Sequence, residues 1–363
     1  MDSTTPDTST KLNTDAVKDK LSNGINYVKE ISEKIQGGHI LLILLVITIF
    51  VYFIYSISYT HRTGLALDNL NKWAPELQIN PRYIFDKNLT NKALSKFKIA
   101  SSYRPYVTNN QMMDYCSLET LQKTISCGAR ALYIDIFNSS LYENAEPVVS
   151  VGYEKGNWKL TLNTLHFDDV CNTISQTAFS SGYVDNYFDP LFLVLDLKCN
   201  NNFHTINKIQ KSIVKYFKAR LLPSQYSNAN PNVNLGDVPI GELMNKVVII
   251  CSDGFQNTKL EELVNASWIN DNTNIISFDS LGGNIGIENP ETLLLDKEEL
   301  KDYNDNYLTL VHPPNASFFT YSYPSQRFFD AHCHFVFMNY TKVDLNSIET
   351  IKVFQNSSLM LQE

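Results

Sequence analysis

Residues 40–59, ILLILLVITIFVYFIYSISY, run without a single charge. At 1.5 Å of rise per residue, that run spans about the 30 Å of hydrocarbon in a bilayer. It begins some forty residues into the chain, is too long for the core of a cleaved leader, and has no basic cluster directly before it. The expectation is one transmembrane helix over 39–60 and a single-pass membrane protein. Lys29 and Lys34 precede the run but are offset by Glu30 and Glu33, and only Arg62 follows closely. Flanking charge therefore leaves the orientation open, with a lean towards a cytosolic N-terminal side.

This span divides the chain. Residues 1–13 are rich in Ser, Thr and Asp and read as a disordered tail, whereas Val17, Leu21, Ile25, Val28, Ile31 and Ile35 fall near helical spacing. Within 1–38 that stripe predicts an amphipathic helix. It either lies on the membrane surface, pairs with a protein partner or merely precedes the span. Residues 61–95 read as a neck, 96–354 as the main domain and 355–363 as a tail. With 44% hydrophobic and 12% aromatic residues the chain can fill a large core. Its net charge of -8 offers no broad basic surface, which argues against nucleic acid as a partner. The six cysteines, Cys116, Cys127, Cys171, Cys199, Cys251 and Cys333, make no CxxC pair, and most sit in or beside apolar runs. They read as buried free thiols rather than a zinc site, redox motif or disulfide framework. The NxS/T sequons are no more frequent than the abundance of Asn, Ser and Thr yields by chance.

After the neck, β-rich runs alternate with helical stretches, the pattern of a parallel sheet wrapped by helices. Strands are expected at 97–103, 131–137, 147–153, 191–198, 246–252, 275–280, 307–312 and 334–340. Helices are expected from Ser117, Asp168, His204 and Glu291. Eight such units predict an α/β fold of the TIM-type (β/α)8 barrel kind, which routinely occupies about 250 residues. The stretch 224–237 reads as a surface loop, and NASWINDNTN from Asn265 as a break in periodicity.

Several of these segments resemble phosphoinositide-specific phospholipase C. SSYRPY at 101–106 resembles that family's SSHNTY-type opening, and LQKTISCGARALYIDIF its GCRCIELD region. EPVVSVGY, LFLVLDLKCN and IGELMNKVVIICSDG are similar to its EPVIYHGH, VILSLENHC and KILLKNK segments. LTLVHP and the stretch from Tyr323 to Phe354 resemble the second half of the same barrel, so the resemblance covers about 96–354. It implies a PLC-like phosphodiesterase barrel with X and Y halves, without the accessory modules of the animal enzymes.

The resemblance also implies a chemistry that these residues no longer support. The family uses two histidines for phosphoryl stabilisation and acid/base transfer, and a calcium ion held by an asparagine and carboxylates. Here the histidine positions hold Tyr103 and Tyr153, the asparagine position Arg104, and the first glutamate position Tyr133. Asp135 is kept and the later glutamate is shortened to Asp196. A phenol near pKa 10 is a poor general base at pH 7. A guanidinium beside the remaining carboxylates makes a divalent cation redundant, so Arg104 is expected to replace calcium and neutralise Asp135 and Asp196. No catalytic residue, metal or cofactor is then expected. Leu310 stands where the family has a phosphate-binding arginine, and Ile250 and Cys251 near its lysine positions. His332 and His334 sit two apart, but a structural role fits them better than a metal pair; His166 reads as a neighbour of a helix cap.

Three readings follow: a pseudoenzyme barrel serving as a membrane-anchored scaffold; a diverged, calcium-independent phosphodiesterase built on Asp135, Asp196 and Tyr103; and a phosphoinositide or headgroup-binding module. The excess of Asn, Ile, Tyr, Phe and Lys suggests an AT-rich genome, as in many protists and large DNA viruses. A virion or internal membrane would suit an anchored, inactive enzyme fold.

Overall fold

The computed structural model describes residues 22–27, 29–30, 37–73, 87–230, 233–268, 274–280, 284–285, 297–314, 319 and 322–362. They fall into two compact units, Met1–Tyr59 and Thr60–Glu363. In the first unit, residues 22–27 and 29–30 are helical, while most of the expected amphipathic stripe lies outside the described residues. Helix α1 (Gly37–Asn71) starts in this unit and is long and apolar enough to cross a membrane. Its side chains from 39 to 57 are all exposed. A helix keeps its backbone N–H and C=O groups paired within itself, which a lipid-facing segment must do.

In the second unit, the remainder of α1 behaves differently. Thr63, Ala66, Leu70 and Trp73 are buried at spacings of three and four, one face of the helix. The Trp73 indole donates to the Tyr340 carbonyl at 2.8 Å, and the Asn69 amide to the Thr341 carbonyl at 2.9 Å. Arg62 pairs with the buried Asp114, which also accepts from the Thr108 hydroxyl at 2.6 Å. The first part of the stretch read as a neck is thus a helix docked on the barrel. Residues 74–86 lie outside the described residues.

The barrel strands are β1 (Phe97–Ile99), β2 (Ser101–Tyr103), β3 (Ala131–Asn138), β4 (Leu191–Lys198), β5 (Val247–Cys251), β6 (Ala266–Ser267), β7 (Ile275–Asp279), β8 (Leu308–His312) and β9 (Phe335–Val336). One parallel path runs β2–β3–β4–β5–β6 and another β7–β8–β9–β1. β1 and β2 are halves of one bent strand. At the bend, the Ala100 N–H reaches the Ser358 carbonyl while its own carbonyl accepts from Arg130 and Ala131. Counting that strand once gives eight barrel strands, the expected number, although their membership differs. The strand expected at 147–153 is displaced: Pro147–Val149 pairs antiparallel with the end of β3 and with Leu165–His166, outside the barrel path. β6 takes the vacant count, inside the segment read as a break, because two residues carry too little alternation to register as a strand.

Helices α2 (Leu118–Ser126), α3 (Phe167–Ala178) and α4 (Phe203–Phe217) cover the first half, and α5 (Lys297–Asn304) and α6 (Leu345–Val353) lie in the second. The caps are local chemistry: Ser117 accepts from the Thr120 N–H, Asn202 from His204 and Thr205, and Asp344 from Ser347. Strand alternation then sorts the core. On β4, Leu191, Leu193, Leu195 and Leu197 pack outward against Ile174, Ile206, Ile209 and Ile213 of the helices. Phe192 and Val194 point inward to a second cluster with Tyr133, Val248, Ile250, Leu310 and Phe337. The lower barrel is filled with side chains, so polar groups on the same inward rows collect at the strand ends.

Docking of the helix through Trp73 has a measurable consequence. Trp73→Ala is expected to cost about 3–5 kcal/mol in denaturant titration of the detergent-solubilised protein. Leu65→Ala, on the exposed side of the same helix, should stay within about 0.5 kcal/mol of the parent.

Candidate active-site mouth

The inward rows of β2, β3, β4 and β8 end in Tyr103, Tyr133 followed by Asp135, Asp196 followed by Lys198, and His312. The register of β3 and β4 sets Asp135 directly beside Asp196, and like charges so placed repel. Two cations meet them. Arg104, just past β2, has a left-handed backbone at φ 47°, and its N–H is fastened to the Tyr133 carbonyl at 3.0 Å. This turn, strained for a side chain with a Cβ, delivers the guanidinium into the mouth.

There Arg104 is 0% exposed. One terminal nitrogen donates to Asp135 Oδ2 at 2.7 Å and the other to Gln111 Oε1 at 2.6 Å. Its guanidinium lies 4.5 Å from the centre of the Tyr103 ring. Lys198 donates to the same Asp135 oxygen at 2.7 Å and sits 3.2 Å from Asp196 Oδ2, which also accepts from the Tyr133 hydroxyl at 3.1 Å. Arg104 therefore neutralises Asp135, while the expected fork to Asp196 is replaced by Lys198 and Tyr133.

The electrostatics follow from this packing. Burial alone would raise the Asp135 pKa, but Arg104 and Lys198 outweigh it and hold the carboxyl below its usual range. Burial would lower that of Arg104, and Asp135 reverses the sign. Burial pushes the phenols of Tyr103 and Tyr133 up, so both remain protonated at neutral pH. His312 is fully buried and its pKa is lowered by that burial, which keeps it neutral. Its ring stacks on Tyr103 with centres 6.0 Å apart and planes within 6°.

Tyr153 is 43% exposed on a two-strand ribbon, Gly152–Tyr153 with Trp158–Lys159, and no hydrogen bond or ring contact among the described residues joins it to Asp135 or Arg104. Ile250 and Leu310 are packed in the barrel interior, whereas Cys251 faces the helices. His334 spends both ring nitrogens on backbone, the Thr309 N–H at 3.1 Å and the Ser95 carbonyl at 3.0 Å, and burial lowers its pKa to about 4. His166 is exposed at the start of α3 without a side-chain cap bond.

Sequence reasoning missed Lys198, Gln111 and His312. Two of them carried a signal: Lys198 lies two residues beyond Asp196 and His312 two beyond Leu310, so strand periodicity places each on the inward face. Gln111 lies in an irregular loop and had none.

A family model described as phosphatidylinositol-specific phospholipase C, X domain, matches residues 90–252. Among solved structures, PLC21 of L. pealei superposes with a TM-score of 0.59 at 18% identity over 76% of this chain, and PLC21 of S. officinalis gives the same three values. The chain spans only 38% and 37% of the length of those two proteins. Curated protein sequences give no significant match.

The shared carboxylate sets a pH dependence. The folded pKa of Asp135 lies below its unfolded value of about 3.9, so its contribution is complete above about pH 4 and disappears as pH falls through the depressed folded value. The gap in unfolding free energy between the parent and Asp135→Asn should be flat from pH 8 to 5 and shrink below about pH 4. Arg104→Met, which removes one partner of a buried pair, should cost about 3–5 kcal/mol. The double change Arg104→Met with Asp135→Leu should cost less than that single one.

Proposed function

Taking residues 90–252 as an X domain of the phosphatidylinositol-specific phospholipase C kind, within a barrel of that fold, we propose that this chain is a membrane-anchored pseudo-phospholipase serving as an interaction scaffold. The observation that carries this reading is the buried Asp135 oxygen held at 2.7 Å by both Arg104 and Lys198. A carboxylate so occupied is a weak proton acceptor, and the two cations stand where a divalent ion would have to approach. The residues do not fit a calcium site: one ligand position offers a guanidinium, another a phenol, and the remaining carboxylates are neutralised internally. Among the described residues no group of three His, Cys, Asp or Glu could hold a metal ion. Membrane anchoring is supported by the exposed apolar part of α1.

A second reading is favoured by one observation, the neutral His312 stacked on Tyr103. Its Nε2 has no hydrogen-bond partner among the described residues. An imidazole there could supply the acid/base step that the phenols cannot, making the chain a diverged, calcium-independent phosphodiesterase.

Activity and calcium titration separate these readings. Purified full-length protein in mixed micelles is expected to hydrolyse neither phosphatidylinositol nor glycerophosphodiesters. Turnover that vanishes in His312→Gln or Asp135→Ala would overturn the scaffold reading. In calorimetry the parent should show no calcium binding, whereas Arg104→Asn with Lys198→Ala, which frees both carboxylates, should gain it. Anchoring is checked by alkaline carbonate extraction: the full chain should stay with the membrane fraction, and a chain lacking 37–59 should be released.

A further inference from the structure

We infer that the outer face of α4 is a docking surface for an anionic lipid bilayer. Although the chain carries a net charge of -8, residues 197–236 contain no Asp or Glu and hold Lys198, Lys208, Lys211, Lys215, Lys218 and Arg220. Apart from Lys198, which is committed to the mouth, these cations lie on α4 and the turn that follows it. Positions 208, 211, 215 and 218 recur at three and four, one stripe on a helix surface. The opposite face of α4, Ile206, Ile209, Ile213 and Phe217, is buried against the barrel, so the stripe is turned outward.

The stripe is only partly neutralised. Lys208 pairs with Glu146 and Lys215 with Asp168, each at 2.7 Å. Lys211 and Lys218 are exposed and have no ion pair among the described residues. Beside them lies an open groove of about 300 Å³ that includes Lys208, Lys211 and Lys215. The surface matches a diffuse negative plane better than a protein partner. Its charges are hydrated ammonium groups on flexible stems, and the one large apolar side chain exposed on α4 is Phe203, its first residue, off the lysine stripe. Lysines of this sort are drawn to anionic lipid surfaces, and a membrane tether would raise the local concentration of that surface. The inference rests on the anchoring reading above.

The test uses the full chain in nanodiscs of phosphatidylcholine alone or with about one third phosphatidylserine, in the surface-charge regime of an anionic leaflet. Ala219→Cys, exposed beside Lys218, carries a bimane label, and lipids with a quencher near the headgroup report contact. Quenching is expected in the anionic discs, to fall several-fold in neutral discs, and to be lost in 0.5 M salt, roughly three times the physiological ionic strength. Lys211→Gln and Lys218→Gln should each weaken the docked population roughly fivefold. Equal quenching in neutral and anionic discs, or quenching untouched by Lys211→Gln combined with Lys218→Gln, would overturn the inference. So would a shift in the label's emission on addition of polyglutamate together with no quenching in anionic discs, which would mark an acidic protein partner. Carbonate extraction of each variant keeps the two readings distinct: retention in the membrane without quenching sinks the docking surface alone.

Discussion

The barrel mouth is organised around one carboxylate oxygen shared by two cations. A fully buried aspartate beside a second aspartate would ordinarily be forced to take up a proton. Here a guanidinium arrives from the turn after β2 and an ammonium from the end of β4, and both settle on Asp135. The repulsion between Asp135 and Asp196 is thereby relieved from within the chain. Each neighbour conforms to this arrangement: Gln111 holds the second arm of Arg104, Tyr133 caps Asp196, and Tyr103 lies beneath the guanidinium.

The position of this knot follows from strand periodicity. Inward-facing residues on β4 and β8 are apolar until the end of each strand and then become Asp196 with Lys198, and His312, while β3 brings Tyr133 and Asp135 to the same level. A filled interior below leaves polar groups only at the open end, where loops can still adapt to them. The loop after β2 is itself pinned from the other side, because Asp114 within it is gripped by Arg62 of the docked helix. The loop that supplies Arg104 and Gln111 is thus held at both the mouth and the flank of the barrel.

Much of this was legible along the chain. Six of the eight expected strands reappear within a few residues at their ends, and 334–340 does so only as the short β9, since long buried parallel strands read as continuous apolar runs. The pair of Tyr103 and Arg104 was visible as a change of chemistry at positions where the resemblance called for an imidazole and an amide. The ribbon at 147–149 was not, because an antiparallel strand outside the barrel has the same alternation as one inside it. Lys198 was passed over as the end of an apolar strand, although its spacing from Asp196 already put both on one face. Tyr153 matches a histidine position by resemblance of short segments, and the structure puts it on an exposed two-strand ribbon.

The sequence by itself determined the apolar span, most of the barrel strands and the side chains that stand at 103, 104, 133 and 135, because each is a matter of residue type and periodicity. Only the tertiary structure decided which cation reaches which carboxylate. Arg104 and Asp135 are 31 positions apart and Lys198 and Asp135 are 63 apart. Their meeting depends on the register of β3 against β4 and on a left-handed turn at a single residue, neither of which local sequence encodes.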